Sequence, residues 1–221
     1  MIDSLKTKVF LVDDHPMLRM GMSAIINEGA DYEVCGEATN AADALRLIQA
    51  LNPAMAVIDI ALESSSGLDL AKQLQAQMPA VRILMVSMFN AEVYAERALK
   101  AGAMGYMMKR DAQRNLIEAL NCIRGGEIFL SPNQKEKMLL RFLKHSPTIS
   151  PDDGLSDQEL EVLALLGNGF GISEVAERLQ LPAEIIRGCR EALRKKLNLN
   201  EPSDVIGYAI DWTTRRDVSI S

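Results

Sequence analysis

Over the first 125 residues, short apolar runs alternate with longer stretches whose apolar positions recur every three or four residues. The runs at 9–12, 32–37, 55–60, 83–86 and 105–108 predict five strands, and 17–27, 41–51, 68–77, 91–101 and 112–124 predict five amphipathic helices. Strands this uniformly apolar need cover on both faces, so the alternation predicts a parallel sheet flanked by helices. The run at 32–37 is the most polar and belongs at the periphery. Beyond Gly125 and Gly126, residues 134–144 predict one more helix, with Met138, Leu139, Phe142 and Leu143 at helical spacing. The segment at 145–154 (HSPTISPDDG) gathers prolines, serines and acids and reads as a linker. After it only helical patterns remain, at 157–166, 174–179, 183–197 and 203–212. Ser156 and Glu159 form a capping box at the start of the first of these.

Composition narrows the class. With 221 residues the chain is long enough for two small domains. Apolar residues make up 48% and charged residues 24%, which excludes general disorder. No apolar run approaches the roughly 20 residues of a membrane span, and the N-terminus lacks a secretory pattern, so a cytoplasmic protein with no membrane partner is expected. Cys35, Cys122 and Cys189 share no metal-ligand spacing, and neither His15 nor His145 lies near a cysteine, so reduced thiols are expected rather than a zinc site. No glycines follow a strand in a dinucleotide-binding frame. Twelve methionines, several near 83–86 and 105–108, suit core gaps and a partner-facing surface.

The chemistry is concentrated at strand ends. In an open parallel sheet, ligands bind outside the carboxyl ends of the strands, where strand order reverses. The first strand ends in Asp13 and Asp14, the third in Asp59 and the fourth in Ser87, and the fifth runs into Lys109. Clustered carboxylates cannot all stay ionised without a cation, and hard oxygen ligands suit Mg2+. One carboxylate could then attack a phosphoryl group while the cation and the lysine neutralise its oxygens.

The phrases FLVDDHP, VIDIALESSSG, ILMVS and AGAMGYMMKRD resemble, in order and spacing, the receiver domain of two-component response regulators. The resemblance implies a flavodoxin-like doubly wound five-stranded parallel sheet over residues 1–126. It implies Asp59 as phosphoacceptor, Lys109 as the phosphoryl-binding lysine, Ser87 as the switch hydroxyl and Tyr106 as the aromatic that swings inward. Mg2+ would be held by Asp13, Asp14, Asp59 and the backbone carbonyl of Ala61. His15, beside the acidic pair, could ligate metal, though its counterpart in the family is a conformational neighbour. A phosphoryl group would add about −1.5 to −2 charges and draw Ser87 toward it, vacating space for Tyr106. Two departures stand out. Glu63 replaces the family's proline, and Ala61 and Phe89 replace side chains that help orient a hydrolytic water. Slow self-dephosphorylation of Asp59, and no other enzymatic activity, is therefore expected.

The phrases LSDQELEVLALLGNG, EVAERLQL and LRKKLNL resemble the LuxR-type helix-turn-helix, which with the receiver gives the NarL/FixJ layout. This implies an all-α four-helix DNA-binding domain over 155–212, a linker over 127–154 and a tail over 213–221. The helix at 183–197 would enter the major groove, with Arg187, Arg190, Arg194, Lys195 and Lys196 as DNA contacts. Against this, residues 155–212 hold six basic residues and ten acidic ones. The family's turn lysine is missing from Gly171, Ile172, Ser173 and Glu174. Ile185, Gly188 and Cys189 replace the family's polar residues on the recognition helix.

The expected function is a transcriptional response regulator. A sensor histidine kinase would phosphorylate Asp59, and phosphorylation would control homodimerisation and binding to double-stranded promoter DNA. The alternative is an atypical regulator whose acidic helical domain binds a protein partner. A phosphohydrolase with an Asp nucleophile would need a second acid two residues beyond Asp59, where Ala61 stands.

Overall fold

The computed structural model describes residues 6–62, 65–88, 91–132, 134–136, 138, 154–179 and 181–217. The chain divides into two compact units, residues 1–144 and 145–221.

Among the described residues of the first unit, five sheet strands alternate with five α-helices. They are β1 (Thr7–Val12), α1 (Pro16–Glu28), β2 (Tyr32–Ala38), α2 (Ala41–Leu51), β3 (Met55–Asp59), α3 (Gly67–Gln77), β4 (Arg82–Ser87), α4 (Ala91–Lys100), β5 (Gly105–Met108) and α5 (Ala112–Arg124). All five strands are parallel, in the order β2-β1-β3-β4-β5, which makes the sheet flavodoxin-like and doubly wound. The polar strand β2 lies at an edge, as its composition predicts. Alternate residues Val9, Leu11, Met55, Val57, Leu84 and Val86 form one core with Met22 and Ile26 of α1 and Leu116, Leu120 and Ile123 of α5. The intervening Phe10, Ala56, Ile58, Ile83 and Met85 are equally buried, so both faces of the sheet are covered.

Three local devices hold the strand ends in place. Asn40 and Ser66 cap α2 and α3 by accepting from the backbone N–H of Asp43 and Asp69. A small hairpin, with Ala61 paired to Ser66 and Leu62 to Ser65, turns the chain from β3 into α3 and has no counterpart in the predicted elements. Gly67 closes that turn by donating to the Ile60 carbonyl at 2.8 Å. It stands so close to the Asp59 carbonyl oxygen that any side chain there would overlap it.

Among the described residues, the second unit contains four helices: α6 (Asp157–Gly167), α7 (Ile172–Arg178), α8 (Ala183–Lys196) and α9 (Asp204–Asp217). Helix α6 packs on α8 and α9, and α7 packs on α8. The capping box forms: Ser156 accepts from the Glu159 N–H, and Glu159 accepts from the Ser156 N–H at 2.6 Å. Helix α9 does not stop at residue 212; it runs five residues into the stretch read as a tail. The Thr213 hydroxyl lies 3.3 Å from the Gly167 carbonyl and 3.0 Å from that of Ala209, tying the extension to the end of α6. Most of the helix expected at 134–144 and the linker at 145–153 lie outside the described residues. No described helix is long and apolar enough to cross a membrane.

Candidate functional site

The β1–α1 loop places the first two acids. Asp13 follows β1 directly, with its N–H on the Ala38 carbonyl at 3.1 Å and its carboxylate accepting from the His15 N–H at 2.8 Å. Arg19 donates to the Asp13 carbonyl at 2.6 Å and to Glu37 at 2.9 Å, pinning the loop against β2. Asp59 ends β3 and Ser87 ends β4, both buried at the same sheet edge. Lys109 opens a single 3-10 turn, Lys109–Asp111, immediately after β5.

The structure brings Asp13, Asp59 and Lys109 into direct contact. The Lys109 ammonium donates to Asp59 Oδ2 at 2.6 Å and lies 2.9 Å from Asp13 Oδ2. All three side chains are at least 97% buried, so this is a dry ionic site. Burial pushes the Asp59 carboxyl up to about 7, Lys109 opposes that rise, and Asp13 and Asp14 add to it. Three carboxylates against one ammonium leave an excess of negative charge that a divalent cation would offset. One donor atom each from Asp13, Asp14, His15 and Asp59 lies within 4.8 Å of all the others. The buried oxygens Asp13 Oδ2 and Asp14 Oδ1 lack an aligned hydrogen-bond donor, despite the close Lys109 and His15 nitrogens. These residues therefore fit a divalent cation.

Tyr106, on β5, is fully buried and hydrogen-bonded to Ser87, and its burial pushes the phenol well above its ordinary range. The ring thus already occupies the inward position expected of the phosphorylated state. Ala61 sits in the small hairpin. Glu63 and Phe89 lie outside the described residues. His15 stands closer to the acids than its sequence position alone implies. Its adjacency to the acidic pair was the signal, and the structure turns its Nδ1 into the carboxylate set.

On α8 the expected DNA contacts separate into different roles. Arg194 clasps Glu191 through two hydrogen bonds, at 2.7 and 2.9 Å, and donates to the Leu199 and Asn200 carbonyls. Lys196 donates to Glu159 at 2.7 Å, linking the end of α8 to the start of α6. Arg187 pairs with Glu184 at 3.2 Å, and Lys195 lies 3.9 Å from Glu191. Arg190 makes no ion pair among the described residues. Arg194 and Lys196 thus brace the fold through neighbouring acids, and Arg194 also through open carbonyls. Cys189 is buried in the helical core, and burial raises its thiol pKa. Ile185 and Gly188 are exposed on the outer face.

Fold and site together define a receiver-type α/β unit, with a buried acid–lysine cluster at the sheet's switch point, joined to a helix-turn-helix unit. The chain belongs to the response regulator receiver domain family, whose model matches residues 9–121, and its layout is that of LuxR-type (NarL/FixJ) response regulators. It is 29% identical over 210 residues to the oxygen regulatory protein NreC of Staphylococcus epidermidis, covering 92% of this chain and 96% of that one. A LuxR-family two-component response regulator from an Aurantimonas species matches with a TM-score of 0.58 at 30% identity, over 62% of this chain and 99% of that one. RcsB of Salmonella enterica serovar Typhimurium, solved bound to promoter DNA with the phosphomimetic BeF3−, matches with a TM-score of 0.60 at 21% identity. That match covers 92% of this chain and 98% of RcsB.

Proposed function

We propose that this response regulator accepts a phosphoryl group on Asp59 from a sensor histidine kinase and uses it to control promoter DNA binding by a homodimer. The observation that carries the reading is the buried Lys109 ammonium held between Asp59 and Asp13. In the transfer, an Asp59 carboxylate oxygen attacks phosphorus, the P–O bond forms as the donor's P–N bond breaks, and the electron pair stays on the departing imidazole. Lys109 sits where it can neutralise a phosphoryl oxygen, and dry surroundings strengthen that attraction. Asp13, Asp14, Asp59 and the Ala61 carbonyl would hold Mg2+, which supplies charge neutralisation of the phosphoryl oxygens when bound. The chain is a phosphoacceptor rather than an enzyme, and its self-dephosphorylation is slow.

Once Asp59 carries the phosphoryl group, its oxygens compete with Tyr106 for the Ser87 hydroxyl. Releasing the Tyr106 hydroxyl changes the surface beside β5, and a bistable element of this kind needs only a few kcal/mol of bias. The receiver unit corresponds to residues 1–126 and the DNA-binding unit to 155–212, in a cytoplasmic protein. RcsB's complexes with DNA support the DNA reading by analogy of fold. Incubation with acetyl phosphate should label wild-type protein and leave Asp59→Asn unlabelled. Beryllofluoride should shift the wild type from monomer to dimer in light scattering.

The neutralised cations of α8 favour a second reading, in which the acidic helical unit binds a protein partner. A gel-shift salt series separates the two: phosphate contacts give a steep fall in affinity with salt.

A further inference from the structure

The side chain of His15 is half-exposed, yet its Nδ1 faces inward. That nitrogen lies 2.6 Å from Asp14 Oδ1, 3.3 Å from Asp13 Oδ1 and 3.9 Å from Asp59 Oδ2. It also lies 3.4 Å from the Lys109 ammonium, which can only donate. An unprotonated Nδ1 accepts from Lys109, whereas a protonated one points its N–H toward Asp14 Oδ1, so either way this nitrogen is directed at the cluster. With Nδ1 unprotonated, its lone pair lies beside the Asp14 oxygen, and a cation bound by both would take the place that a proton otherwise fills. Asp14 Oδ1 has no aligned hydrogen-bond donor, and one donor atom each from Asp13, Asp14, His15 and Asp59 lies within 4.8 Å of the others.

We propose that His15 is a nitrogen ligand of the cation site, so that the site holds a borderline transition dication such as Co2+ or Zn2+ more tightly than an all-oxygen receiver site would. The inference rests on the cation-site reading above and specifies its ligand chemistry. Imidazole suits Co2+, Ni2+ and Zn2+, whereas Mg2+ takes oxygen and keeps its waters. Asp13 and Asp14 supply the oxygens in either case, and His15 adds preference for the softer metal.

The test uses the full-length chain, titrated calorimetrically with Mg2+ and separately with Co2+. His15→Ala should weaken Co2+ binding tenfold or more and change Mg2+ binding less than twofold, with His15→Gln as a second variant that retains side-chain bulk. Only two histidines occur, so His145→Gln protein with 15N-labelled histidine carries one labelled ring. Zn2+ should then shift the His15 Nδ1 resonance and leave Nε2 as the protonated nitrogen. A Co2+ effect below tenfold, equal losses for both cations, or an unmoved Nδ1 resonance would overturn the assignment. Wild-type protein that binds neither cation would instead overturn the cation-site reading beneath it.

Discussion

Tyr106 and Ser87 are hydrogen-bonded to each other inside the receiver unit, and both are fully buried. The switch hydroxyl is therefore engaged by the aromatic it is expected to release. Tyr106→Phe keeps the ring in place and removes the bond, at a cost of about 1 kcal/mol in urea unfolding. It should also free Ser87 for the phosphoryl group, lowering the beryllofluoride concentration needed for half-maximal dimerisation. An unchanged or raised midpoint would show that this bond does not oppose the switch.

Asp59 carries a second prediction, in pH. Its folded-state carboxyl is raised from 3.8 to about 7, chiefly by burial, so the folded chain binds a proton there that the unfolded chain has lost. The stability it contributes is complete below about pH 3.8 and is lost as pH rises through about 7. In EDTA, wild type should therefore lose stability relative to Asp59→Asn between pH 5 and pH 8, read as urea midpoints. A saturating divalent cation should shrink that gap at pH 8. A pH-independent difference between the two proteins would mean that Asp59 stays ionised throughout.

These acids were legible in the sequence because the strands are nearly pure apolar runs that stop abruptly at Asp13, Asp59 and Ser87. Parallel topology then carries those stops to one edge of the sheet. The hairpin at 61–62 and 65–66 was not legible, since two-residue strands have no periodicity to read. Helix α9 beyond Trp212 was missed because Thr213, Thr214, Arg215, Arg216 and Asp217 continue no apolar stripe, and Thr213 is held by the Gly167 carbonyl. The basic stripe of α8 holds contacts that its spacing does not show. Counting charges along a helix does not reveal that Lys196 reaches Glu159, 37 positions earlier, or that Arg194 closes carbonyls of the following turn.

Gly67 supports the phosphoacceptor loop by having no side chain. Gly67→Ala would drive a methyl group into the Asp59 carbonyl oxygen, so the loop must move, at a cost of about 1–3 kcal/mol for overpacking. Labelling of Asp59 by acetyl phosphate should slow accordingly, because small displacements at a reacting group reduce rates steeply. Full-rate labelling in the folded variant would show that the loop tolerates the shift.

Glu159 gives the helical unit an acid sensitivity. Burial raises its carboxyl, but the Lys196 hydrogen bond and the Ser156 N–H outweigh that and hold it below its ordinary value. The resulting stability is present above the unfolded value of about 4.5 and is lost as pH falls through the lower folded value. Ser156→Ala, which removes the other half of the capping box, should cost about 1 kcal/mol at pH 7. Glu159→Gln should flatten the loss of helicity below pH 4.5 that circular dichroism would detect in wild type. An identical acid transition in the variant would remove Glu159 from the account.

Two of the three arginines of α8, Arg190 and Arg194, are expected to separate DNA contact from structural support. Arg190 makes no ion pair among the described residues, whereas Arg194 is spent on Glu191 and on the Leu199 and Asn200 carbonyls. If α8 lies in the major groove, Arg190→Ala should reduce the slope of log affinity against log salt by about 1 while leaving thermal unfolding unchanged. Arg194→Ala should lower the unfolding midpoint instead, because removing one partner leaves the carbonyls and the acid without their donor. At a temperature where both variants are folded, its salt slope should match that of wild type. A steep salt dependence carried by Arg194 rather than Arg190 would mean that the clasp opens on DNA. A flat salt dependence in wild type would favour the protein-binding reading of this acidic unit.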